Sequence, residues 1–196
     1  THTKDDLFFS FNSSLFETLK NKYDDKYEYI FPEITVDKNV LSDEKFGNLD
    51  LQTNLKVHSY DTNKLTSFFV NDLNWESNDL ILNSTIKNKV LGKLKNINYE
   101  AKNIGIYKEK ATSELFGAIG LLSEIDFQKK VSNFTHLLTP KVLLKLSPGS
   151  MRKEESGERL TSTDAFNIDR LNNINNFETS NTATVGINFD IKKDNI

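Results

Sequence analysis

The feature that most constrains this chain is a two-residue alternation of apolar and polar side chains, sustained over unusually long runs. From Leu49 to Ser59, the segment LDLQTNLKVHS puts Leu49, Leu51, Leu55 and Val57 on one face, and Asp50, Gln52, Asn54, Lys56 and His58 on the other. A period of two is the signature of a β-strand with two unlike faces. The pattern returns at the end of the chain, where Ala183, Val185, Ile187, Phe189 and Ile191 alternate with Thr184, Gly186, Asn188, Asp190 and Lys192. Near the start, Leu7, Phe9, Phe11 and Leu15 oppose Ser10, Asn12 and Ser14, and Leu115 to Phe127 carries Leu115, Ile119, Leu121, Ile125 and Phe127 on one side. Further strands are expected at about residues 26–36, 64–76, 80–88, 94–102 and 135–146, which makes nine. Short polar connections are expected from Asn21 to Lys26, Tyr60 to Asn63 and Lys129 to Asn133, and longer ones from Asp37 to Lys45, Asn103 to Ser113 and Gly149 to Asn181. Short turns and long loops then fall mostly on opposite ends, with Glu76 to Asp79 as the exception.

Strands of about 9–11 residues cross a bilayer when tilted, and short turns opposite long loops mark outer-membrane barrels. A soluble β-sandwich or lipocalin-like barrel alternates too, but its strands are typically about five or six residues long. The expected fold is therefore all-β: an antiparallel, curved slice of a large transmembrane β-barrel with about eight or nine strands. Only 37% of residues are hydrophobic, yet there are 14 Phe and 6 Tyr, as suits strands with one buried and one wet face. The chain starts at Thr1 in polar sequence without a leader-like segment, and we read residues 1–196 as an interior fragment of a barrel domain. The net charge of −3 gives no basic footprint for nucleic acid.

Catalytic, cofactor and metal sites are not expected. The chain has no Cys, and His2, His58 and His136 are far apart, without ligand spacing. No GxSxG elbow is present, and neither Ser147 nor Ser150 has a nearby His.

From His136 onward the sequence becomes more specific. HLLTPKVLLKLSPGSMRKEESGERL, followed by DAFNIDRLNNINNFETSNTATVGINFDIK, resembles the C-terminal barrel of the LptD family of lipopolysaccharide-assembly proteins. The matching elements are Pro140, the apolar run Val142 to Leu146, Pro148, then Asp164, Phe166, Asp169-Arg170 and Glu178 in a long loop. Upstream, YEYIFPEITVDKN with its central Pro32, and TNKLTSFFVNDLNWES, resemble neighbouring strands of that barrel. Leu143, Leu144 and Leu146 stand where the family often has aromatics. The resemblance implies an outer-membrane translocon that delivers lipopolysaccharide to the outer leaflet and makes or breaks no bond. It also implies three partners beside outer-membrane lipids: lipopolysaccharide, an LptE-like plug lipoprotein, and an LptA-like periplasmic bridge docked through an N-terminal domain outside this chain. A porin or nutrient transporter would share the strands but not the ordered set of motif residues.

The residues themselves add three expectations. Pro32 and Pro140 lack the N–H that a ladder needs, so bulges or pairing breaks are expected there. Lys87, Lys89, Lys93 and Lys95 share one parity, opposite Ile86, Val90 and Leu94; they are candidate contacts for anionic lipid A phosphates, against the plainer reading of a solvated hairpin tip. The long loop is expected to fold back over the lumen through Asp164, Phe166, Asp169 and Arg170, with deletion of Arg152 to Glu158 tolerated if only its later half is ordered.

Overall fold

The alternating segments fold into one antiparallel, open and curved sheet in the computed structural model, which describes residues 2–4, 6–17, 27–82, 85–152, 161–171 and 173–193. Its strands are β1 (His2–Lys4), β2 (Leu7–Glu17), β3 (Tyr27–Asp43), β4 (Gly47–Ser59), β5 (Leu65–Glu76), β6 (Leu80–Leu82), β7 (Ile86–Lys102), β8 (Thr112–Ile125), β9 (Phe127–Val131), β10 (Phe134–Leu146) and β11 (Thr182–Lys193). The main order is β1-β2-β3-β4-β5-β7-β8-β10-β11, with β6 on β7 and β9 on β10. No helix occurs among the described residues. Both β5 and β6 pair with β7, and both β8 and β9 pair with β10, so each couple is one strand with an interruption. The result is a meander of eight long strands plus the short β1.

The strand count and loop ends differ in detail from the sequence expectation. Segments 80–88 and 94–102 are not two separate strands: β6 continues β5, and β7 runs unbroken through Lys102. The irregularity at 77–79 lies inside a strand, which removes the exception expected at Glu76 to Asp79. Asp37 to Lys45 is mostly strand, because β3 extends to Asp43 with register shifts between Ile30 and Glu33 and between Asn39 and Leu41. Each shift moves the alternation out of phase, so the pattern fades while the strand continues. Among the described residues, the tight connections 44–46 and 132–133 lie at one end of the sheet, and 60–64, 103–111 and the two ends of the β10–β11 connection at the other. Tyr60 to Asn63 therefore sits with the long loops. The expected Asn21 to Lys26 connection lies outside the described residues. At a tight turn, Gly47 takes φ +84°, and a Cβ there would stand 2.0 Å from the Glu76 carbonyl oxygen; only glycine fits.

The pleat sorts the side chains into an apolar and a polar face. Register partners place Leu49, Leu51, Leu55 and Val57 beside Phe69, Leu73 and Trp75, and these continue through Leu94, Ile119, Leu121, Val142 and Leu144 to Val185, Ile187 and Phe189. Among the described residues no second sheet covers this face: Leu115 is 71% exposed, Val185 75% and Ile187 64%. The core sits on the other face, around Phe68, Val70, Ile97, Tyr99, Phe116 and Phe177.

The apolar band crosses the strands obliquely. On β2 it ends at Leu15, level through the ladder with Tyr29, Ser59, Leu65 and Lys102. On β11 it ends at Ala183, level with Leu144, Leu121 and Val90. Lys102 and Val90 are twelve residues apart on β7, and β2 and β11 are seven strand steps apart. That is roughly 6 Å along the strand for each step of about 4.8 Å, an inclination of roughly 50°. Closed barrels tilt their strands by about 35–45°, so the slant is in the same sense and slightly steeper than a level apolar belt on such a wall would give.

Candidate functional site

On the polar face, part of the long connection between β10 and β11 lies across the sheet as a strap. Its anchor is Phe177, fully buried and stacked on Phe116 of β8 with ring centroids 5.9 Å apart. Burying one such side chain contributes about 1.5–3 kcal/mol. Two lysines flank its ring: the ammonium groups of Lys95 and Lys145 lie 5.9 and 5.7 Å from the ring centroid. Both are almost inaccessible, at 2% and 1% exposure, so each needs partners in place of water.

The strap supplies them. Lys95 donates to the carbonyl oxygens of Asn173 (2.6 Å) and Asn176 (3.2 Å) and to Asp169 Oδ2 (3.3 Å), with Asp72 Oδ2 of β5 at 3.4 Å. Lys145 donates to the Glu178 carbonyl oxygen (2.8 Å) and to Glu178 Oε2 (3.2 Å). Arg170 closes on the same carboxylate, its Nε donating to Oε2 at 2.8 Å and its NH2 group to Oε1. The Glu178 backbone N–H in turn donates to Asp169 Oδ1 at 3.2 Å. Nearer the strap's start, the Arg152 guanidinium stands 4.7 Å from the Tyr99 ring centroid and 5.1 Å from that of Tyr107, and pairs with Glu114 at 3.3 Å. Removing Arg152 thus takes away a stacked ion pair, so tolerance of a deletion that starts there is not supported. Residues 153–158 of that segment lie outside the described residues.

These contacts set the acid response of the strap. Burial pushes the Glu178 carboxyl up, but hydrogen bonds from Arg170 and Ser180 and the charge of Lys145 outweigh it and hold the group down to about 2. The paired Glu178 likewise raises Arg170, against the effect of burial. A carboxylate lowered from 4.5 contributes stability that is fully present above pH 4.5 and is lost as pH falls toward 2. Amide hydrogen exchange at Asn176 to Glu178 is expected to stay slow at pH 5, after correction for intrinsic rates, and to accelerate selectively between pH 4 and 2. Equal acceleration in the β10–β11 ladder would show instead that the whole sheet, not the strap, responds.

The family-motif residues meet different fates. Asp169, Arg170 and Glu178 converge in the network above, and Phe166 seats on Gly186 of β11, where a Cβ would come within 2.7 Å of its ring. Lys141 lies 5.4 Å from the Phe166 centroid. Asp164, expected to reach the sheet, instead closes a local turn with Thr161 and Asn167. Pro32 sits at the β3 bulge, and Pro140 where the ladder from β8 and β9 is interrupted at Asp126. Pro148 lies just past the end of β10.

The lysine row is not an open anion track. Lys87 meets Asp126 at 2.7 Å, Lys89 meets Glu76 at 2.5 Å, and Lys93 meets Asp72 at 3.1 Å. Lys93 and Lys95 are moreover covered by the strap, because the chain's own Asp169 needs them. Sequence reading missed Lys145, Asp72, Asn176 and Phe177. The two charged members are ordinary polar-face positions in their strands, and only contacts with a distant segment reveal their burial. No protein-family model matches the chain, and no curated protein matches it.

Proposed function

We propose that this chain is a wall segment of an outer-membrane β-barrel that passes lipopolysaccharide to the outer leaflet, of the LptD type. The observation that supports the membrane part is the inverted distribution of side chains: an exposed apolar band on one face, buried ion pairs on the other. A water-soluble sheet has every reason to cover such a band. Along β11 the band from Ala183 to Ile191 spans roughly 27 Å, or roughly 17–20 Å at a tilt of about 40–50°, somewhat short of the belt of about 25 Å in such barrels. Open edges are not tolerated in lipid, so β11 pairs with a further strand in the complete wall.

The lipopolysaccharide part is supported by the ordered resemblance at Pro140, Pro148, Asp164, Phe166, Asp169, Arg170 and Glu178. Its partners in this reading are the lipid itself, outer-membrane phospholipid, a plug lipoprotein and the periplasmic bridge, and the wall binds and guides without catalysis. The test is photo-cross-linking in cell envelopes, with the probe placed in the full-length protein at Asn188 on the polar face and at Ile187 on the apolar face. The expected result is a lipopolysaccharide adduct at Asn188 and phospholipid adducts at Ile187. Phospholipid at Ile187 without lipopolysaccharide at Asn188 or at two other polar-face sites, Gln52 and Thr184, would keep the barrel and sink the substrate.

A further inference from the structure

We infer that the hollow between the strap and the polar face of β4, β5 and β7 is a subsite for an uncharged, polyhydroxylated ring, a saccharide unit. The hollow has a volume of about 450 Å³ and is walled by Asp50, Asn74, Glu76, Lys89 and Lys93 of the sheet and by Phe166 to Asp169 of the strap. That size lies within the range of small-molecule sites.

Its ammonium groups are already committed to carboxylates of the chain itself. Lys89 is held by Glu76 at 2.5 Å and by Asp79 at 3.7 Å, while Lys93 is shared between Asp72 at 3.1 Å and Asp169 at 3.9 Å. A phosphate entering here has to displace carboxylates that already hold these ammonium groups, and a cation meets the ammonium groups themselves. What remains on offer is the neutral amide of Asn74 and one carboxylate oxygen of Asp50, which donate to and accept from hydroxyl groups. The Asn74 side chain makes no hydrogen bond among the described residues, leaving two N–H donors and a carbonyl acceptor at the hollow. Asp50 accepts from Asn39 at 2.8 Å through Oδ1 and keeps Oδ2 without a partner among the described residues. Alternating donors and acceptors beside the apolar Leu91, Leu122 and Phe166 match a sugar ring, which presents hydroxyls at its edge and C–H groups on its faces.

A free oligosaccharide and the sugar portion of a glycolipid offer the same chemistry. Choosing the glycolipid rests on the lipopolysaccharide reading above; the site itself does not. The test is saturation-transfer NMR on the full chain folded in an amine-oxide detergent, which carries no sugar, with maltotriose as the probe. Transfer to maltotriose is expected, weakened about tenfold in apparent affinity by Asn74→Ala and unchanged by Lys192→Ala, an exposed polar-face position near the end of β11, eight residues beyond the level of the hollow. Asn74→Ala removes no hydrogen bond among the described residues, so the fold stays available as a control by far-UV circular dichroism. No transfer, or transfer indifferent to Asn74→Ala, overturns the proposal, as does a preference for glucose 6-phosphate over maltotriose. Displacement of maltotriose by lipopolysaccharide bearing its core sugars, but not by lipid A, assigns the site to the glycolipid; displacement by neither assigns it to free saccharide. Failure of this subsite leaves the cross-linking test of the wall untouched.

Discussion

Replacing Glu178 with leucine will release the strap from the polar face. The carboxylate is the shared partner of Lys145, which is 1% exposed, and of Arg170. Its removal leaves a buried ammonium with only one carbonyl oxygen, from a segment that is itself no longer held. Breaking one side of a buried ion pair typically costs about 3–5 kcal/mol, because the abandoned charge keeps its desolvation penalty. Protection of the Phe177 and Asn176 amides against hydrogen exchange is therefore expected to fall by about two to three orders of magnitude. The β10–β11 ladder between Val142 and Val185 should keep its own protection. The triple change Lys145→Met, Arg170→Leu and Glu178→Leu should recover much of the loss, since apolar replacements of a buried charged cluster are often neutral. If Glu178→Leu alone leaves Phe177 protected, the aromatic stack on Phe116 holds the strap and the ion pairs are passengers.

The same contrast between local and distant contacts explains what is legible in the sequence. Alternation between Leu49 and Val57 and between Ala183 and Ile191 reads out directly, because facing is a local property of a pleated strand. Legibility stops where locality stops. In β3 two register shifts break the phase around Pro32 and Asn39, so the stretch after Asp37 reads as loop. In β7 the glycine at 92 interrupts the apolar series, and one strand of 17 residues reads as two. The sequence predicts a strap that folds back, and Asp169 and Arg170 do so, but its buried receivers are not identifiable there. Lys95 and Asp169 are 74 residues apart, and Lys145 looks like any other polar-face lysine between Leu144 and Leu146. Asp164 shows the converse: its motif position suggests a contact to the sheet, and its side chain is satisfied by Thr161 and Asn167 next door.

The substitution Ile187→Arg separates the two environments open to the apolar face. Ile187 is 64% exposed and sits midway along the band between Ala183 and Ile191 on β11. If that face meets water, an arginine there is a surface change, worth within about ±0.5 kcal/mol. If it meets hydrocarbon, the cost is about 2–4 kcal/mol near the bilayer midplane. Asn188→Arg, one residue on, points to the polar face and is the matched control. Unfolding titrations in phospholipid bilayers of the complete barrel that contains this wall, read by far-UV circular dichroism, should show Ile187→Arg destabilised by that larger amount and Asn188→Arg close to the parent. The difference should shrink for Ile191→Lys near the edge of the band, because the penalty falls toward the interface. A flat response across Ile187 and Ile191 would mean that the apolar face is covered by protein or water rather than lipid. Depth dependence is decisive here because a water-facing sheet has no depth axis along which the cost of a charge varies.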